Sequence, residues 1–321
     1  MLKLKRIISL SDDRYFETVT FFDRTPEQVT ETLKRLPGAS GFPANFADVV
    51  LATPPPIYRE SALSAPENEP DTESTRKAQI VADQHWKFRG RFPFDVINLD
   101  YEEYAFKPRD KMPGEIINCL RQVAEWQHTP LVLKRGNKRR EVPLDSFSLM
   151  FTTRLGPRDL AAPYEAMLTE ILDRNVSEDD TLIERMERAT GNSTIQSLKA
   201  SMFDEFFILG ITKSIARILM DHGWYVDDAT GIEIFKFHRG SDGAGYDMIH
   251  LVMNVVRQTP PVSERAPGSP EPEAARRAYR NVARNLFDLP INEVTAEIVS
   301  AATLDPTLEQ VFAERRSVYS P

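Results

Sequence analysis

Residues 94–99 read FDVINL, and this stretch decides the fold because it is a nearly continuous apolar run that ends at Asp100. An uninterrupted run of this length suits a strand that is buried on both faces of a sheet. Residues 115–126 then carry apolar side chains at helical spacing, and residues 147–153 (FSLMFTT) form the next strand-like run. Strand, helix and strand in this order indicate a βαβ unit, and therefore a parallel sheet.

The segment on the N-terminal side has the same alternation of strand and helix. Residues 16–22 (FETVTFF) predict a strand that closes at Asp23. Thr25, Pro26 and Gln28 then predict the start of a helix with a capping box. Residues 46–52 (FADVVLA) are predicted to form another strand, because a run of prolines follows them.

The C-terminal side begins with helices and then changes character. One helix is predicted before the buried strand, at residues 80–88, and further helices are predicted after residue 153, at residues 163–173, 178–188 and 194–221. Residues 225–238 and 246–257 are strand-like runs joined by a glycine-rich loop, which predicts an antiparallel hairpin. Three short helices are predicted after it, at residues 274–287, 291–302 and 306–316.

Two stretches rich in Pro, Ser and Glu interrupt the globular pattern, at residues 61–75 and 259–273. Neither holds enough large apolar side chains to be buried. The first is predicted to be a flexible acidic loop within a domain that spans residues 1–258. The second is predicted to be a Pro-rich linker to a helical tail, residues 274–321.

Composition excludes several classes of protein. The chain has 40 Lys and Arg against 48 Asp and Glu, a formal net charge of −8, which argues against a surface built as a whole for nucleic acid. Cys119 is the single cysteine, and the five histidines have no metal-ligand spacing, so no metal site is expected. No apolar run is long enough for a bilayer span or a signal peptide, and a cytoplasmic location is therefore predicted.

The order of strands and helices resembles that of the class I S-adenosylmethionine-dependent methyltransferases. In this resemblance residues 16–22, 46–52, 94–99 and 147–153 are the second to fifth strands, and the C-terminal hairpin is the pair that closes the family's sheet. The resemblance implies an α/β fold with a Rossmann-like, mostly parallel sheet and a closing antiparallel hairpin. It also implies S-adenosylmethionine as cofactor and methyl transfer as activity, with an acceptor that the sequence does not identify.

The resemblance assigns roles to four residues. Asp23 lies where the family binds the ribose hydroxyls, since a carboxylate accepts two hydrogen bonds from a diol. Asn98, Asp100 and Tyr101 lie where amino-group methylating members place an acceptor and a stacking ring around the target nitrogen. The two prolines of that motif are absent here. The alternatives are a helix-start acid for Asp23 and a turn or capping Asp for Asp100.

One departure from the family concerns the glycine-rich cofactor loop. The first glycine is Gly38, which lies beyond the second strand, so no GxGxG precedes Asp23. Residues 4–10 are expected to form at most a residual first strand. The chain then starts inside the family's fold, or the cofactor pocket has decayed, or the assigned topology is shifted. A catalytically inactive, methyltransferase-like interaction subunit is therefore the alternative to an enzyme.

Two segments are candidates for binding a macromolecule. Five cations lie close together before residue 147, and these are Lys134, Arg135, Lys138, Arg139 and Arg140. They suit the phosphates of a nucleic acid or an acidic partner, although a solvated charged turn has the same composition. The helices predicted in the C-terminal tail suit a protein partner.

Overall fold

The computed structural model describes residues 2–9, 15–23, 25–35, 39–52, 73–101, 115–135, 138–156, 160–227, 231–239, 245–259, 266, 268–287 and 291–294. The chain folds as a mixed α/β protein around a central mixed sheet. Its strands are β1 (Leu2–Ser9), β2 (Tyr15–Asp23), β3 (Ser40–Pro43), β4 (Val96–Asp100), β5 (Leu131–Arg135), β6 (Lys138–Val142), β7 (Ser146–Leu155), β8 (Trp224–Val226), β9 (Ile232–Arg239), β10 (Tyr246–Arg257) and β11 (Ile291–Val294).

The helices fall between these strands, mostly in the order that the sequence predicts. They are α1 (Pro26–Arg35), α2 (Phe46–Val50), α3 (Glu73–Arg89), α4 (Glu115–Trp126), α5 (Ala162–Glu178), α6 (Asp180–Thr190), α7 (Ile195–Ser201), α8 (Phe203–Asp221) and α9 (Glu273–Leu286). The predicted βαβ unit is confirmed as β4, α4 and β7, and the strand that closes at Asp23 is confirmed as β2. None of the helices in the described ranges is long and apolar enough to cross a bilayer.

The central sheet has the order β11-β9-β10-β7-β4-β1-β2-β3, and β8 pairs with β10 at one end. Strand β1 is antiparallel to both β2 and β4, whereas β4 and β7 are parallel, and so are β2 and β3. Strand β10 is antiparallel to β7, β8 and β9. The strands therefore run mostly in one direction, and β1 and β10 run against them. We call the edge where β2, β3, β4 and β7 end the carboxyl edge, and the opposite one the amino edge.

Four predicted elements differ in kind or in number from those observed. The helix predicted at residues 194–221 is two helices, α7 and α8, because Met202 leaves the helical conformation between them. The strand predicted at residues 46–52 is wrong, because residues 46–50 form the helix α2, whose N-cap Asn45 accepts from Ala47 N at 3.3 Å. Phe46, Ala47, Val49 and Val50 are buried and Asp48 is exposed, and a helix of five residues is too short to show a helical period in the sequence. The strand parallel to β2 is β3 instead.

The other two differences lie towards the C-terminus. The helix predicted at residues 291–302 is wrong at its start, because β11 pairs in parallel with β9 at the edge of the sheet. The first run of the predicted hairpin forms two strands, β8 and β9, which both pair with β10. The helix predicted at residues 306–316 and most of the acidic loop at 61–75 lie outside the described residues.

The sheet has two faces of different character. Ile97 and Leu99 of β4 and Phe151 of β7 belong to the main buried cluster, which also contains side chains of α4 and α8. We call this the helix-covered face. Because strand residues alternate between faces, Asn98 and Asp100 lie on the other side. We call that side the polar face, and it also carries Thr152 of β7 and His250 of β10, which pair in register.

The start of β4 is fixed by one buried amide. Gln127 is fully buried after α4, and its Oε1 accepts from Phe94 N at 2.7 Å while its Nε2 donates to Phe94 O at 2.7 Å. Both backbone groups of Phe94 are thereby satisfied inside an aromatic cluster that includes Phe88, Phe92 and Trp126. This contact anchors the strand that carries Asn98 and Asp100.

Candidate functional site

The carboxyl edge brings the end of β2 and the end of β4 to the same level. Asn98 is in register with Lys3 of β1, and Lys3 is in register with Phe21 of β2. Asp100 and Asp23 each lie two residues further along their strands, so they flank β1 on the same face of the sheet. Two strand spacings separate them, which is about 10 Å between backbones. The structure therefore brings Asp23, which is predicted to bind the ribose, to the same edge as Asn98 and Asp100, which are predicted to bind the methyl acceptor.

Asp23 is engaged in starting α1. Its Oδ1 accepts from Thr25 N at 3.2 Å and from Thr25 Oγ1 at 3.3 Å. The Gln28 side-chain amide, with its nitrogen turned toward Asp23, donates to Oδ2 at 3.1 Å. Both carboxylate oxygens therefore support the helix start, which is the structural alternative that the sequence leaves open for this residue. The same Gln28 nitrogen lies 2.5 Å from Oδ1, so three of these contacts fall on Oδ1 and one falls on Oδ2. Each carboxylate oxygen has about two acceptor sites, so the contacts leave one site on Oδ2.

Asn98 and Asp100 lie two residues apart on the polar face of β4. The Oδ1 atom of Asn98 is buried and has no hydrogen-bond partner among the described residues. A buried amide oxygen of this kind needs a donor to offset the cost of its desolvation. The arrangement of Asn98 next to a carboxylate thus suits a ligand that presents an N–H or O–H group.

Tyr101 is separated from these two residues by the alternation of the strand. Its backbone N–H donates to Thr152 O at 2.9 Å, which continues the pairing with β7. Its ring lies 5.6 Å from that of Phe151, centroid to centroid, and packs against the main buried cluster. The structure therefore brings Asn98 and Asp100 together on one face and places the Tyr101 ring on the other.

His250 joins Asp100 on the polar face, and sequence reasoning missed it. Its Nδ1 lies 2.7 Å from Oγ1 of Thr152, and Thr152 is in register with Asp100. Burial lowers the pKa of His250 below its ordinary value, and the charge of Asp100 opposes this effect. The imidazole is therefore mostly neutral at pH 7, and a neutral imidazole can donate or accept a hydrogen bond. The sequence signal for His250 is the alternation of apolar and polar residues over 246–257, which predicts a strand with a single histidine on its polar side.

Cys119, the single cysteine, is not a reactive group in this structure. The Cys119 side chain is fully buried in α4, and burial raises the pKa of its thiol well above the usual range. A thiol in this setting is not a nucleophile. No group of three or more His, Cys, Asp or Glu side chains that could hold a metal ion occurs within the described ranges.

The described residues fit one portion of S-adenosylmethionine better than the other. The Asp23 carboxylate has the chemistry for the ribose hydroxyls. The methyltransferases that the sequence resembles bind the methionine portion with a glycine loop after their first strand. Here β1 is antiparallel and ends at the amino edge, so a loop that follows it begins at the opposite edge from Asp23. The glycine beside β2 is Gly41, where an added Cβ would lie 2.6 Å from Val29 Cγ1 and 2.8 Å from Phe21 Cζ. Packing against α1 therefore accounts for Gly41, and no glycine cradle is formed by the described residues.

The five predicted phosphate-binding cations lie on a hairpin of their own. Strands β5 and β6 form a two-stranded sheet in which Lys134 pairs with Arg139 and Arg135 pairs with Lys138, while Arg140 lies opposite Leu133. This hairpin connects the end of α4 to the start of β7, at the amino edge. The ten residues of β7 separate the two edges by about 30 Å. The structure does not bring the cations together with Asp23, Asn98 or Asp100.

Comparison with known proteins assigns no family. No protein-family model matches the chain, and no match is found among curated proteins or among solved structures.

Proposed function

We propose that this chain is an S-adenosylmethionine-dependent methyltransferase-type protein that binds its ligands at the carboxyl edge. The observation that carries the proposal is the placement of Asp23 and Asp100 at one level of that edge, on either side of β1. A second observation supports it. The strands β3-β2-β1-β4-β7 stand in the same spatial order, 3-2-1-4-5, as the parallel strands of doubly wound nucleotide-binding sheets, with the difference that β1 is antiparallel. The hairpin of β9 and β10 lies next to β7.

The proposed roles follow the positions of the side chains. Asp23 accepts hydrogen bonds from the ribose of the cofactor. Asn98 Oδ1 accepts a hydrogen bond from the methyl acceptor, and Asp100 orients the same group. The sequence predicts stacking on the acceptor for Tyr101, but its ring packs beside Phe151, so its role in the proposal is to support the end of β4.

The proposed contacts involve the ribose of the cofactor and the methyl acceptor. Because the described residues form no glycine cradle, no methyl-transfer step is assigned to any atom of the chain. The acceptor also stays unassigned, apart from its need for an N–H or O–H group. A cytoplasmic location remains a prediction from the sequence.

A second candidate function is a catalytically inactive, methyltransferase-like interaction subunit. Two observations favour it: β1 runs opposite to the family's first strand, and both oxygens of Asp23 already support α1. In this candidate the binding partners are a nucleic acid at the basic hairpin or a protein at the C-terminal segment. The apolar side of α9 is already buried within the chain, at Ala275, Ala278 and Val282.

Calorimetric titration tests the proposal, with S-adenosylmethionine, S-adenosylhomocysteine and adenosine as ligands. Micromolar binding of S-adenosylmethionine, about −8 kcal/mol, is the expected result. Asp23→Ala should weaken it by at least tenfold. Asp179→Ala is the matched control, because Asp179 accepts from Thr181 N and Oγ1 at the start of α6 in the way that Asp23 accepts from Thr25.

Each outcome separates the two candidates. Loss of binding in Asp23→Ala alone supports the ribose contact, whereas equal loss in Asp179→Ala attributes it to general destabilisation. Binding of adenosine without S-adenosylmethionine would support the inactive subunit. A folded protein that binds none of the three ligands would refute the cofactor assignment.

A further inference from the structure

We propose that the β5–β6 hairpin, which we call the basic ribbon, binds the phosphate backbone of a nucleic acid duplex by entering its major groove. The ribbon comprises Leu131–Arg135 and Lys138–Val142 and pairs with none of the other described strands. The proposal does not rest on binding of S-adenosylmethionine, because the ribbon lies at the amino edge.

The pairing within the ribbon is the first observation. Lys134 is directly opposite Arg139, and Arg135 is directly opposite Lys138. Like charges opposite each other destabilise an antiparallel pair. A two-stranded hairpin outside a larger sheet is only marginally stable even when it has no such pairs. Two successive pairs of this kind are therefore unfavourable for folding alone. A bound polyanion attracts both cations of each pair and offsets their mutual repulsion. The pattern therefore suits a surface that binds a polyanion.

The charge of the ribbon contrasts with that of the whole chain. The ribbon carries five cations and a single carboxylate, Glu141, whereas the chain has a formal net charge of −8. Arg140 is exposed. Val132 is also exposed, with 50% of its surface accessible to solvent, although its side chain is apolar. Positive charge is thus concentrated on a ribbon that also presents apolar surface to solvent.

The distribution over both faces favours a nucleic acid over an acidic protein. Because residues alternate along a strand, the Lys134–Arg139 pair and the Arg135–Lys138 pair belong to opposite faces of the ribbon. A flat acidic protein surface would meet one face. The major groove of a duplex is about 12 Å wide, admits a two-stranded ribbon and has phosphates along both walls. A ribbon with cations on both faces matches that groove.

Fluorescence anisotropy of the full chain with a labelled 20-base-pair DNA duplex tests the proposal over 50 to 200 mM NaCl. The first variant neutralises the four paired cations together, as Lys134→Gln, Arg135→Gln, Lys138→Gln and Arg139→Gln. The control variant removes the same amount of charge from exposed helix positions, and it combines Lys34→Gln, Lys77→Gln, Lys87→Gln and Arg174→Gln.

The ribbon variant should bind at least tenfold more weakly than the wild type, and its slope of log K against log[salt] should be smaller by about 1 per cation removed. The control variant should keep the wild-type slope. The ribbon variant should also be at least as stable to urea as the wild type, because its like-charge pairs are gone. Its titration with S-adenosylmethionine should be unchanged, so the two proposals fail independently.

Three results would overturn the inference. One is a wild type that does not bind the duplex at 50 mM NaCl. Another is a control variant that loses as much affinity as the ribbon variant. The third is displacement of the duplex by polyglutamate at an equal concentration of charge, which would identify an acidic protein as the partner.

Discussion

Lys213 gives the sharpest quantitative prediction about this fold. It lies in the middle of α8 with no exposed surface, donates from Nζ to Tyr279 O of α9, and has its Nζ 3.4 Å from the centroid of the Tyr279 ring. Burial lowers the pKa of Lys213 to about 7, and Arg217 adds to this effect while Glu178 and Asp179 oppose it. The ammonium form is therefore disfavoured in the folded protein relative to the unfolded chain.

The sign and size of the effect follow from linkage. The unfolded lysine has a pKa of about 10.4, so between pH 7 and pH 10.4 the unfolded state binds more protons than the folded state. Stability then rises with pH across this window and is lowest below pH 7, where both states are protonated. With a folded pKa of about 7, the contribution between pH 6 and pH 9 integrates to roughly 3 kcal/mol.

Lys213→Met removes this titration and keeps a long side chain between α8 and α9. Urea unfolding of wild type and variant at pH 6, 7, 8 and 9 measures the difference in the free energy of unfolding. The wild type should gain roughly 3 kcal/mol relative to the variant from pH 6 to pH 9. Any constant cost of the substitution cancels in this comparison. Parallel curves over the whole range would refute the burial of a titrating ammonium.

Two more predictions concern the polar face and the strand that carries it. Asp100→Asn should lower the pKa of His250 further below 6.5, because the Asp100 charge raises it; NMR titration of the imidazole measures this, and an unchanged pKa would mean that the two groups do not share a face. Gln127→Leu should cost about 2–5 kcal/mol in urea unfolding, since it leaves both backbone groups of Phe94 buried without partners. The surface change Gln122→Leu is its control, and an equal loss there would contradict the role of Gln127.

The elements that the sequence predicted well have a clear period or a clear boundary. Strand β4 ends at Asp100 and α4 has one apolar side, so both were recognisable. For residues 46–52 the prediction of a strand is wrong because α2 has only five residues, four of them apolar and buried, and a run this short does not distinguish a helical period from a strand. Strand β11 was also not recognisable from the local sequence, because it is a strand through its pairing with β9, which is distant in the chain.

The candidate site divides in the same way. Asp23, Asn98 and Asp100 were identified because they stand at the ends of predicted strands, and their common edge follows from the direction of β2 and β4. The separation of Tyr101 from Asn98 and Asp100 follows from alternation along β4, whereas the contact between Thr152 and His250 depends on the register of β7 and β10. A shift of one residue in register would exchange the two faces. The pairing joins residues 98 apart in the chain, so local periodicity does not reveal which residues lie opposite each other.

By itself, the sequence determined the α/β class, most helices and strands, the absence of a cysteine pair and the concentration of cations before β7. The tertiary structure decided the direction of β1, the edge on which each polar group lies and the distance between the basic ribbon and the carboxyl edge. The physical reason is the range of the interactions. Periodicity and capping act over a few residues, whereas strand pairing joins residues far apart in the chain, such as those of β7 and β10.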